Sequence, residues 1–83
     1  MKVTVKYFAS IREALGRTSE VVETGATSLA TLRDELIARG GAHAQSLARG
    51  KAVRAALNQV MSNEDVPLAE DCEVAFFPPV TGG

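Results

Sequence analysis

The sequence predicts one small α+β domain, a mixed sheet of four to five strands with one main helix across one face. Three observations carry this. The first residues alternate polar and apolar, the stretch between Ser28 and Gly40-Gly41 carries leucines at helical spacing, and residues 73–77 alternate again just before a Pro-Pro pair. Strands clustered around one principal helix are the pattern of an α+β layer fold. At 83 residues the chain supports a single compact core and has little room for a deep substrate pocket.

Residues 2–8 read as a strand, with Val3, Val5 and Tyr7 on one face and Lys2, Thr4, Lys6 and Phe8 on the other. The two lysines mark the second face as outward, which places the large Phe8 side chain there too. A short helix follows. Ser10 and Glu13 have the spacing of a capping box, Ile11 and Leu15 share a face, and Gly16 suits a left-handed C-cap. Residues 19–24 read as a second strand ended by Gly25. Ser28 is a good N-cap for the longest helix, whose Leu29, Leu32, Leu36 and Ile37 form an apolar stripe, and Gly40-Gly41 stops it. Residues 42–50 are ambiguous, with Ala44, Leu47 and Ala48 suggesting one helical turn.

Residues 53–60 alternate, Val53, Ala55 and Leu57 against Arg54, Ala56 and Asn58. Pro67 makes 61–69 a turn-rich segment with a short edge strand at most. In residues 73–77, Val74 and Phe76 oppose Glu73, Ala75 and Phe77, and the carboxylate marks the Phe77 side as outward. The domain is thus expected over residues 1–79, followed by a flexible tail over 80–83.

Composition narrows the function. A net charge of −1 with scattered cations and four aromatic residues offers no basic stripe or stacking platform, so nucleic acid is not an expected partner. The 46% apolar content fits a globular chain. No stretch approaches membrane-spanning length, and the single cysteine, Cys72, fits a reducing compartment, so a soluble cytoplasmic protein without membrane partners is expected. One Cys and one His, His43, do not make a tetrahedral metal site. Cys72 reads as structural and His43 as a surface residue. No triad, carboxylate pair of recognisable spacing or phosphate-binding glycine loop is present.

The end of the chain is the most informative stretch. Pro78-Pro79 ends a strand and stiffens the exit, so Val80, Thr81, Gly82 and Gly83 are expected to project from the body. Terminal glycines remove side chains where a partner must approach the backbone closely. A terminal carboxylate is ionised at neutral pH and is a poor electrophile. Conversion to an acyl-adenylate supplies a leaving group that a sulfur nucleophile displaces, which yields a thiocarboxylate on Gly83.

The stretch Glu73-Val74-Ala75-Phe76-Phe77-Pro78-Pro79-Val80-Thr81-Gly82-Gly83 closely resembles the end of the small-subunit family of molybdopterin synthases. Val5-Lys6-Tyr7-Phe8-Ala9 with Arg12-Glu13 and Gly16, and Ala56-Leu57-Asn58-Gln59, also resemble that family. The resemblance covers essentially the whole chain. One departure is Asp71-Cys72, where many members have Gly-Asp, and it bears on the turn before the last strand.

This resemblance implies a ubiquitin-like β-grasp fold and a sulfur-carrier role in molybdenum cofactor synthesis, within a heterotetrameric synthase. It implies no permanently bound cofactor and no catalysis by the chain alone. An adenylating, sulfurating enzyme would consume ATP to activate Gly83, and a large catalytic subunit would accept the tail. Phe8 and Phe77, side by side on adjacent strands, would form a docking patch for those partners. Met61, in the loop beyond Asn58-Gln59, would extend it, and Arg12 would pair with a partner carboxylate. The alternatives are a carrier for thiazole synthesis or tRNA thiolation, a ubiquitin-like protein modifier joined through Gly83, and a binding module with an inert terminus.

Overall fold

The computed structural model describes residues 1–78. The expected tail, Val80 to Gly83, and the boundary at 79 therefore lie outside the described residues. In chain order the elements are β1 (Lys2–Tyr7), α1 (Ala9–Leu15), β2 (Ser19–Glu23), α2 (Leu29–Ala38), α3 (Gly41–Leu47), β3 (Arg54–Leu57), β4 (Val60–Ser62) and β5 (Glu73–Phe77). The strands form one mixed sheet in the order β2-β1-β5-β3-β4. β1 and β5 are parallel at its centre, and the other neighbours are antiparallel. This is the β-grasp arrangement, with three helices where the sequence indicates two and a possible turn.

The alternation in β1 sorts its side chains as expected: Val3, Val5 and Tyr7 are buried. They join Val22, Ala55, Val74 and Phe76 from the other strands and Ile11, Leu29, Leu32, Leu36 and Leu47 from the helices in one core. At roughly 25 cal/mol per Å² of apolar surface removed from water, this layer between sheet and helices is the main source of stability.

Local chemistry decides the boundaries. Ser28 caps α2 as anticipated. Its Oγ accepts from the Thr31 amide at 3.2 Å while Thr31 Oγ1 accepts from the Ser28 amide at 3.1 Å, a reciprocal capping box. The segment before β5 completes the cap, because the Leu29 and Ala30 amides donate to the Val66 and Glu64 carbonyls. Gly40 and Gly41, both at positive φ, separate α2 from α3. Asp71 is also left-handed, at φ 63°, a conformation that costs an L side chain more than it costs glycine.

Three expectations are corrected. Ser10 and Glu13 do not cap α1; its N-cap is Phe8, without a side-chain cap, because the helix starts one residue before Ser10. Asn58 and Gln59 do not continue the alternating stretch read over 53–60 but are the two central residues of a tight hairpin, at φ 49° and 70°. Positive φ at both positions matches the right-handed twist of the flanking strands, so Val60–Ser62 returns as β4 and pairs Leu57 with Val60. His43 is not a surface residue. It lies on α3 with its ring edge-on to Tyr7, centroids 6.1 Å apart, and its Nε2 is 2.9 Å from Glu20 Oε2.

Glu20 collects these polar contacts. It also accepts from the Tyr7 hydroxyl at 2.6 Å, from Arg39 at 2.9 Å and from Arg17 at 3.2 Å, and so ties β1, β2, α2 and α3 together at one corner. A second knot is built on the middle of α2. Arg33, only 4% exposed, donates to the Leu47 and Ala48 carbonyls and to Glu64, each at 2.7 Å. A buried guanidinium is tolerated because its donors are satisfied.

Burial alone pushes the Glu20 carboxyl upward, and both burial and the bond to Glu20 raise the Tyr7 hydroxyl. For Glu20 the hydrogen bonds from His43, Tyr7 and Arg39, with the Arg39 charge, outweigh burial and hold it at about 2 against an ordinary 4.5. A depressed carboxyl contributes stability that is complete above its unfolded value and lost as pH falls through the folded one. Thermal unfolding of wild type should therefore lose stability between pH 4.5 and about 2 more steeply than Glu20→Gln does. Parallel slopes for the two proteins would show that Glu20 is not the linked group.

Candidate functional site

Backbone hydrogen bonds fix the two phenylalanines at the end of the parallel pair. Tyr7 lies opposite Phe76 in register, and the next amide, of Phe8, donates to the Phe76 carbonyl at 3.1 Å. Ala9 then turns left-handed, at φ 53°, and swings the chain from β1 into α1. The Phe8 carbonyl accepts from the Ile11 and Arg12 amides at 3.2 and 3.3 Å. Phe8 is thus held on both sides at the junction of strand and helix, with its ring 43% exposed.

Phe77 is the last residue of β5, half-buried on the face away from the helices. The two rings meet edge to face, with centroids 6.4 Å apart and planes at 84°. That geometry sets the positive edge of one ring on the negative face of the other. Neither ring belongs to the buried core cluster. The juxtaposition anticipated from strand alternation is therefore present.

The outward sheet face continues the patch. Met61 lies opposite Ala56, Ala56 opposite Ala75, and Ala75 opposite Lys6. Ala56 and Ala75 are each only 7% exposed. Met61 is 53% exposed and lies on β4, not in a loop as the sequence suggests. The pairing of β4 against β3 aims it at the same face as Phe77. Arg12 is exposed on α1, one turn after Phe8.

The structure thus brings Phe8 and Phe77 into contact, with Met61 two strands away on the same face and Arg12 at the border. Gly82, Gly83, Thr81 and Val80 follow directly in sequence from this patch but lie outside the described residues. Ala56 and Ala75, between Met61 and Lys6 across the sheet, add small apolar side chains to this face that strand alternation alone does not single out.

The remaining candidates for chemistry lie elsewhere. Cys72 is a buried free thiol, 4% exposed, in the core cluster. His43 is engaged with Glu20. Among the described residues no group of three or more His, Cys, Asp or Glu side chains is placed to hold a metal ion, and no helix is long and apolar enough to cross a membrane. What the described surface offers is a rigid apolar patch at the exit of the last strand.

The comparisons with known proteins agree with this geometry. The sequence profile of the ThiS family matches residues 5–83. The molybdopterin synthase sulfur carrier subunit of Escherichia coli (strain K12) is 40% identical over 81 residues, 98% of this chain and 99% of that one. Among solved structures, the protein-protein complex of subunits 1 and 2 of molybdopterin-converting factor from Helicobacter pylori 26695 contains a chain that superposes with a TM-score of 0.69. It is 26% identical, and all of both chains is covered. SAMP1 from Haloferax volcanii superposes with a TM-score of 0.72 at 25% identity, again over all of both chains. With 79 of its residues matched by the profile, from 5 to 83, the chain belongs to the ThiS family.

Proposed function

We propose that this chain is a sulfur carrier in molybdenum cofactor synthesis, the small subunit of a molybdopterin synthase. The observation that supports it best is the Phe8–Phe77 pair, an exposed aromatic patch fixed at the end of β5 beside the exit of a Pro-Pro-Val-Thr-Gly-Gly sequence. Full-length similarity to a sulfur carrier subunit assigns the same role. Exposed apolar patches of this kind mark protein-protein contacts.

In this reading the domain docks and the tail reacts. The Gly83 carboxylate attacks the α-phosphorus of ATP in an activating enzyme, and pyrophosphate leaves. A sulfur nucleophile then displaces AMP from the acyl-adenylate and leaves a thiocarboxylate on Gly83. In the synthase the large subunit receives the loaded tail; the thiocarboxylate sulfur bonds to the pterin precursor of the dithiolene, and water then cleaves the C–S bond to Gly83, so that sulfur stays on the precursor and Gly83 returns to a carboxylate. The chain's own contribution is placement. Holding the reacting atom on a short tether from a docked body converts an encounter between two solutes into a local event.

Deletion of Gly83 tests the chemistry. The shortened chain should fold and bind the large subunit like wild type, yet accept no sulfur and support no dithiolene formation. Full activity of the shortened chain would rule out Gly83 as the carrier atom's site.

Phe77→Ala tests the docking surface. A fully buried Phe→Ala change costs about 3–5 kcal/mol of stability. An exposed anchor costs about 2 kcal/mol or more of binding. Phe77 lies between these limits in burial but outside the core cluster, so affinity for the large subunit should fall by more than stability does. A chain that unfolds readily while its folded fraction binds at wild-type affinity would contradict the docking role.

A further inference from the structure

The cations of the folded chain are unevenly paired. Arg17, Arg33, Arg39 and Arg49 each meet a carboxylate. Lys2, Arg12, Lys51 and Arg54 form no ion pair among the described residues, and three of these four, Arg12, Lys51 and Arg54, lie toward the end of β5. Arg54 lies directly opposite Phe77 in register. Lys51 and Pro78 line the same groove of about 160 Å³, with Ser10, Ile11, Ala14 and Val53. Arg12 follows Phe8 by one helical turn.

The opposite end of the sheet has the opposite character. Because β1 and β5 are parallel, both begin there. Asp71 donates its amide to the Lys2 carbonyl, and Glu70 accepts from the Lys2 amide. Glu23 lies opposite Lys2, and Glu35 accepts from Thr24 just beyond it. Lys2 and the N-terminal amine only partly offset these four carboxylates. A chain with a net charge of −1 is thus folded into a body with a cationic pole at the tail exit and an acidic pole at the far end.

We propose that Arg12, Lys51 and Arg54 form a cationic collar that docks on an acidic rim around the entrance through which the partner protein takes in the tail. This rests on the carrier reading above and adds the charge of the partner surface. Charge separation along the strand axis turns an approaching molecule so that its tail end leads. Such steering raises association rates by tenfold or more at low salt and is screened as salt increases. An exposed guanidinium without a carboxylate partner among the described residues is available to a docking protein, whereas the paired arginines elsewhere are already engaged. The groove beside Pro78 keeps Lys51 at the side of the exit, where it flanks an entering tail without blocking it.

The test compares Arg54→Glu and Lys51→Glu with Lys2→Glu, which makes the same change in net charge at the far pole. Association with the large synthase subunit is followed by stopped flow at low and high salt. Arg54→Glu and Lys51→Glu should each slow association about tenfold at low salt, with the difference shrinking at high salt and dissociation much less affected. Lys2→Glu should leave the rate near wild type. Equal slowing by all three, or none by any, would overturn the collar while leaving the carrier reading intact. Failure of wild type to bind the large subunit would overturn both. Sedimentation of the chain alone checks the other occupant: salt-dependent self-association abolished by Arg54→Glu would assign the collar to a second copy's acidic pole and so reject the proposal.

Discussion

The parallel pairing of β1 with β5 is the constraint on which the remaining architecture depends. Parallel neighbours cannot be joined by a tight turn and need a crossover; here everything from α1 to β4 lies between them in sequence. Their register sets Val5 beside Val74 and Tyr7 beside Phe76, which fills the centre of the core. One residue further on, the same register carries Phe8 and Phe77 past the edge of that core and into contact with each other. A slip of β5 by one residue against β1 would turn Phe77 and Glu73 toward the helices and bury a charge. The packing of the core and the contact between the two surface aromatics therefore rest on the same ladder.

The helices are held to that ladder by two polar knots of different kinds. Arg33 is buried and spends its donors on backbone carbonyls at the end of α3 and on Glu64, so it pins the connection that leads into β3. Glu20 faces the helix side from the sheet's edge strand and joins Tyr7, Arg39 and His43 at the periphery. Neither knot includes a residue of the aromatic patch. This separation leaves the side chains of Phe8, Phe77, Ala56 and Ala75 outside both polar networks.

Much of this was legible in the sequence because it depends on period-2 alternation. Val3, Val5, Tyr7, Val74 and Phe76 faced inward as read, and from the lysines and Glu73 the outward placement of Phe8 and Phe77 followed. Ser28 announced its helix because capping is a local interaction. The errors arose where local signals were weak or long-range contacts decided. Asn58-Gln59 lacks the glycine that usually flags a two-residue hairpin, so β4 and the strand position of Met61 were hidden. The α1 start is set by the bond from Phe8 to Phe76, a partner 68 residues away, and not by Ser10. His43 read as a surface residue because nothing near it in sequence shows that Glu20 and Tyr7 come to meet it. The uneven pairing of cations was equally invisible, since it depends on which carboxylates the fold brings within reach.

The central claim is that the folded body presents a terminal glycine that carries sulfur. The most direct measurement is the intact mass of the chain isolated from the cells that make it, with fragmentation to locate any change. The account predicts a population in which one oxygen is replaced by one sulfur, confined to the fragment containing Gly83 and absent when the activating enzyme is removed. A sulfur adduct located on Cys72, or Gly83 found joined to lysines of other proteins with no thiocarboxylate present, would contradict it.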